Sequence, residues 1–225
     1  MPERSIELNQ FVTSTMKTLV CLLLLAPICL VGQRPPKVEG LGKFKPGSTT
    51  VDVIDELTKE LNAKVVEQKA FLAEKDFEKG KIYKVVYDPS EANKPSRASK
   101  CAQSKVYRVG DYSFSGVNLK EAYLTFHNDV LVELEAKITP DILEAMPSRY
   151  GAPQSTIEER EVECSGPGKK EKFQEKFFIY TWKNDDIEAK SVIEPTYDDN
   201  CKRQFVRSFS VKTAKGYNAH ADCGR

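Results

Sequence analysis

The chain has 225 residues, 40% hydrophobic and 30% charged, with a formal net charge of +1 at pH 7. That is the make-up of a folded globular protein, long enough for one large domain or two small ones. It carries no basic excess to hold a polyanion, which sets nucleic acid aside as a partner.

Residues 19–31 form an apolar run of 13, preceded by Lys17 and ended by Gly32-Gln33. A membrane-spanning helix needs about 20 residues, whereas this length suits the apolar region of a secretory signal. Met16 is the expected start and Gly32 the expected cleavage point. The alternative is an uncleaved anchor, the one route by which this chain would meet a membrane. Cys21 and Cys29 fall inside the run. The other four cysteines, Cys101, Cys164, Cys201 and Cys223, are an even set, as expected for two disulfides in an oxidising compartment, periplasmic or extracellular. Four cysteines allow three pairings, which the sequence does not decide. The pairing carried forward is Cys164–Cys201 with Cys101–Cys223. With no C-x-x-C spacing and two histidines in all, no zinc site, other metal site or cofactor is assigned.

Residues 33–48 read as a linker rich in Pro, Gly and Lys. Thr50 can cap a helix with Val53, Ile54, Leu57 and Leu61 on its apolar face and Asn62 as its left-handed stop. Short strands are expected at 65–66, 82–87 and 105–109, with a loop over 88–103 and a turn region over 110–116. Then Ala122, Leu124 and Phe126 alternate with polar residues, Asn128-Asp129 turns the chain, and Val130, Val132, Leu134, Ala136 and Ile138 line a second strand. Thr139-Pro140-Asp141 opens a helix striped by Ile142, Leu143, Met146 and Tyr150, kinked at Pro147 and stopped at Gly151. A charged edge strand over 157–164 follows. Next come a strong strand over 173–182, a return over 187–193, a last strand over 205–211 and a polar tail from Ala214.

The two helices superpose with a constant shift of 89 residues: Thr50 on Thr139, Asp52 on Asp141, Ile54 on Leu143, Leu57 on Met146, Leu61 on Tyr150 and Asn62 on Gly151. Cap, early acid, apolar stripe and stop all coincide. The predicted fold is α+β, mainly antiparallel sheet with two short helices, as two similar halves over 49–138 and 139–213, after a signal (1–32) and linker (33–48) and before a tail (214–225). An exported chain with a strand, turn, strand and helix ending Tyr150-Gly151-Ala152-Pro153 resembles small uncharacterised bacterial envelope proteins. Tandem helix-plus-sheet units with disulfides resemble the β-lactamase-inhibitor-protein architecture. The resemblance is one of architecture over roughly residues 50–211; no inhibitory motif maps onto these residues, so function does not transfer with it.

From Met16, the expected start, onward the sequence carries no Gly-x-Ser-x-Gly, Ser-x-x-Lys or phosphate-cradling glycine loop. Carboxylate pairs such as Glu133 and Glu135, or Asp198 and Asp199, read as solvated surface. The weak binding candidates are His127, beside the hairpin turn, and Phe177 with Ile179, on the strand face opposite Phe178, Tyr180 and Trp182. The expectation is therefore an exported, non-enzymatic binding or interaction protein, inhibitor-like, whose partner is another protein. The alternatives are a carboxylate- or metal-assisted envelope hydrolase and a membrane-anchored structural subunit.

Overall fold

The computed structural model describes residues 37–69, 78, 80–91, 97–114, 117–138, 146–166 and 169–223, all within one compact unit, Pro36–Arg225. The signal and anchor readings at residues 1–32, and the helix start at 139–145, lie outside these residues.

Alternation of apolar and polar residues builds ten strands: β1 (Lys64–Gln68), β2 (Lys81–Val85), β3 (Ser104–Val109), β4 (Tyr112–Phe114), β5 (Val117–His127), β6 (Val130–Ile138), β7 (Gln154–Gly166), β8 (Lys169–Asn184), β9 (Ile187–Tyr197) and β10 (Arg203–Thr213). They form a single sheet in the order β1-β2-β3-β5-β6-β10-β9-β8-β7, with β4 beside β5. β1 and β2 run parallel and the other pairs antiparallel. The predicted α+β class is thus met by an open, mainly antiparallel sheet with short helices: α1 (Val53–Glu60), a turn of helix, α2, at residues 146–150, and α3 (Ala214–Cys223). Strands from both proposed halves belong to this one sheet.

Residues directly opposite each other in a ladder share a face. One row runs Trp182, Ala189, Val211, Leu134, Leu124, Tyr107 across six strands. It is closed by Val53, Ile54 and Leu57 of α1, by Val38, Leu41 and Phe44, and by Met146 and Tyr150. Residues 37–48, expected as linker, are therefore part of the core, with Leu41 and Phe44 fully buried. Burying each such side chain contributes roughly 1.5–3 kcal/mol. Gly40 makes the approach possible, since it has φ 139° and a Cβ there would meet the Phe44 carbonyl oxygen at 2.3 Å. The cover is tied down by hydrogen bonds from Trp182 Nε1 to the Gly151 carbonyl at 2.8 Å and from Tyr150 Oη to the Gly40 carbonyl at 2.5 Å.

Asn128 and Asp129 both take positive φ, 50° and 61°, and make the expected two-residue hairpin turn. Glu121 also has positive φ, 49°, where a bulge breaks the β5–β6 register. It is held there by Arg108, whose side chain is 1% exposed, at 2.7 Å, and by Lys137 at 2.5 Å.

The polar tail from Ala214 forms α3. It buries none of its residues. Its first turn is capped from elsewhere, with Lys215 N donating to Asp186 Oδ1 at 3.0 Å and Gly216 N to Thr213 Oγ1 at 3.2 Å. Its last residue is bonded to Cys101. No helix among the described residues is long and apolar enough to cross a membrane.

Candidate functional site

Four residues along from the covered row, on the same face, Ile157 stands opposite Phe178, Phe178 opposite Ile193, and Ile193 opposite Arg207. Two residues further along β10, Phe205 stands opposite Pro195. This second row is not closed over. Ile157 is 59% exposed and Phe205 54%, while Phe178, Ile193 and Arg207 are half-buried. Isolated exposed apolar residues are ordinary, but a contiguous row continuous with a core marks a surface for association. Arg207 sharpens it. Its Nε is buried and has no hydrogen-bond partner among the described residues. A guanidinium left short of an acceptor beside isoleucines and phenylalanines can take a carboxylate from outside, in a site partly shielded from water.

The β8–β9 ladder ends at Phe178 and Ile193, and beyond it the two outer hairpins are joined by side chains. Cys164 is bonded to Cys201 in the β9–β10 turn. Phe173 stacks on Tyr197 with ring centroids 4.6 Å apart. Glu175 accepts from Tyr197 Oη and, at 2.5 Å, from Arg203. The open row therefore rides on braced hairpins.

Two clefts of about 480 and 450 Å3 lie at the rim of the covered half and share Asn184. Asn184 Nδ2 is buried with no hydrogen-bond partner among the described residues. A carbonyl or carboxylate oxygen is the ligand group it fits.

The opposite face carries the charge. Arg97 forks onto Glu135, with Nη2 2.6 Å from Oε1, and lies over the Tyr123 ring at 4.5 Å. Glu133 stands on that face across from Thr125 and Lys212. Burial and the neighbouring Glu135 push its carboxyl up to about 7.

The sequence candidates fall as follows. Phe177 and Ile179 are 6% and 5% exposed, so neither offers a surface, and the open aromatic is their neighbour Phe178. His127 is not a lone solvated turn residue. Ser104 Oγ lies 2.9 Å from His127 Nδ1 and 2.8 Å from His220 Nδ1. A hydroxyl can donate once, so in the neutral state one imidazole accepts from Ser104 and the other donates to it. Burial and His127 hold His220 below its usual pKa. The Cys101–Cys223 disulfide is adjacent, with Cys101 Sγ 3.9 Å from His127 Nδ1. Among the described residues no carboxylate accepts a hydrogen bond from either imidazole, unlike the orienting acid of a hydrolase triad. Nor does any group of three or more His, Cys, Asp or Glu among them stand ready to hold a metal ion.

No family model, curated protein or solved structure matches the chain.

Proposed function

We propose that this is an exported, non-enzymatic interaction protein, inhibitor-like in manner, that binds another protein through the open row Ile157–Phe178–Ile193 with Phe205 and Arg207. The observation that carries the reading is an apolar row continuous with the core, left half open, with Arg207 at its end, whose buried Nε has no acceptor among the described residues. The partner segment has an apolar face to cover the row and an acidic group to meet Arg207. Two disulfides suit an oxidising compartment, and with the apolar run at 19–31 they favour the periplasm or the exterior. Two related helix-plus-sheet units remain part of this reading, on the strength of the 89-residue shift.

The test is crosslinked capture from the envelope fraction with the mature chain, followed by binding measurements on the captured partner. Phe205→Asp and Ile157→Asp should lose it. Val65→Asp, which alters an apolar residue 42% exposed on the far edge strand, should keep it. Equal capture by all four proteins, or equal loss in all three variants, would remove the row from the binding surface. A second reading, a small polar ligand in the clefts around Asn184, rests on the unpaired Nδ2. It predicts instead that Asn184→Ala abolishes ligand-induced thermal stabilisation while Phe205→Asp leaves it intact.

A further inference from the structure

We propose that Cys101, Cys223, His127 and His220 form a zinc site that the disulfide keeps closed and that opens when the disulfide is reduced. Three features place these four side chains together. Both imidazoles turn Nδ1 toward one point, now filled by Ser104 Oγ at 2.9 and 2.8 Å. Cys101 Sγ lies 3.9 Å from His127 Nδ1. His220 and Cys223 are three residues apart on α3 and so share its surface.

The spacings are close to those a metal requires. Donors at tetrahedral angles around a zinc bonded at its usual lengths stand roughly 3.4–3.8 Å apart, and two imidazoles sharing it have ring centroids about 5 Å apart. Here the two rings are 6.4 Å apart, so the site closes with an adjustment of about 1 Å and a turn of the Ser104 hydroxyl out of the centre. α3 can make that adjustment because it buries no residue. The Gln103 amide oxygen, 3.2 Å from Cys101 Sγ and 3.1 Å from Cys223 Sγ, is placed to accept from the thiols before metal arrives.

With the sulfurs bonded to each other, two histidines are the only ligands left, and the set holds nothing. A thiol reductant changes this. Two thiols donate two electrons and two protons to the Cys101–Cys223 bond and leave as one disulfide, giving two cysteine thiols. Zinc then displaces both thiol protons and accepts one lone pair from each neutral imidazole, so a dication is balanced by two thiolates. Attack falls first on Cys223, which is exposed, while Cys101 is 3% exposed and leaves as thiolate beside His127.

The test is titration of the mature chain with zinc and with cobalt as a spectroscopic stand-in, before and after reduction by a phosphine. The reduced protein should take one equivalent with the tetrahedral cobalt spectrum and its thiolate charge-transfer band, and the oxidised protein none. His220→Asn and His127→Asn should each weaken binding by at least the ~10–100-fold that even outer-sphere partners are worth. Cys164→Ser with Cys201→Ser should leave it unchanged. The proposal is overturned by any of four results: no uptake by the reduced, folded chain; uptake unaffected by both histidine changes; equal uptake by the oxidised chain; or unfolding on reduction that zinc does not prevent.

Discussion

Two rows of side chains on one sheet face, four residues apart on each strand, differ in what lies over them. Trp182, Ala189 and Val211 are roofed by α1, by Val38, Leu41 and Phe44 and by Tyr150. Phe178, Ile193 and Arg207, on the same three strands, are half-buried, and their outer neighbours Ile157 and Phe205 stand in solvent. Strand periodicity decides which way a residue points, and it treats both rows alike. Cover comes from chain segments remote in sequence, and among the described residues only the first row receives it. The open row therefore has the chemistry of a core without the roof of one.

Truncations in the two rows should differ sharply in cost. Leu134→Ala, in the roofed row, should cost about 2–5 kcal/mol by denaturant unfolding. A cost under 1 kcal/mol would mean that the roof is loose. On the opposite face, Glu133→Gln tests the cost of a half-buried carboxylate. With its folded value near 7 and an ordinary value of 4.5, the folded chain holds a proton between those limits that the unfolded chain has lost. Stability contributed by this group therefore falls as pH rises from 4.5 to 7 and does not return above it. Glutamine cannot ionise, so the variant should match the parent near pH 4.5 and exceed it by about 1–2 kcal/mol above pH 7, after allowance for partial exposure. Parallel curves at all pH values would show that Glu133 is freely solvated. Arg207→Met should raise stability by about 0.5–1 kcal/mol, because a donor without an acceptor is removed, and should weaken partner binding at the same time. A loss of stability would reveal an acceptor for the guanidinium. Smallest of all, Phe205→Ser should change stability by no more than about 0.5 kcal/mol. A larger cost would mean that the second row is roofed after all.

Much of the sheet is legible in the sequence because its signals are local. The Asn128-Asp129 turn, the stripe Val53, Ile54, Leu57 and the stops at Asn62 and Gly151 all depend on near neighbours. The strands after Pro153 follow from alternation, although all four, β7 to β10, extend beyond their expected ranges. What depended on distant partners did not show. α3 has no apolar stripe to announce it, since a disulfide and the cap from Asp186 hold it instead of burial. The meeting of His127 and His220 on Ser104 joins residues 23 and 116 apart from it in sequence, and no periodicity reports that. The two faces of β8 look equally apolar in sequence. Burial settles that Phe177 and Ile179 are inside and Phe178 is partly out.

The seam between β6 and β10 has a kinetic consequence. β5–β6, β7–β8, β8–β9 and β9–β10 are all neighbours in sequence, so each can form as a local hairpin within microseconds. Only Glu133–Lys137 against Ser208–Lys212 joins the earlier strands to the later ones, and it requires closure of a long loop. We expect the hairpins to exist before the seam closes, so weakening the β5–β6 turn with Asn128→Ala should slow refolding in stopped-flow measurements and leave the unfolding rate nearly unchanged. The reverse pattern would place the seam first. On this ordering the sheet assembles as two ribbons that zip along one line, and Cys223, at the far end of the chain, is fastened last.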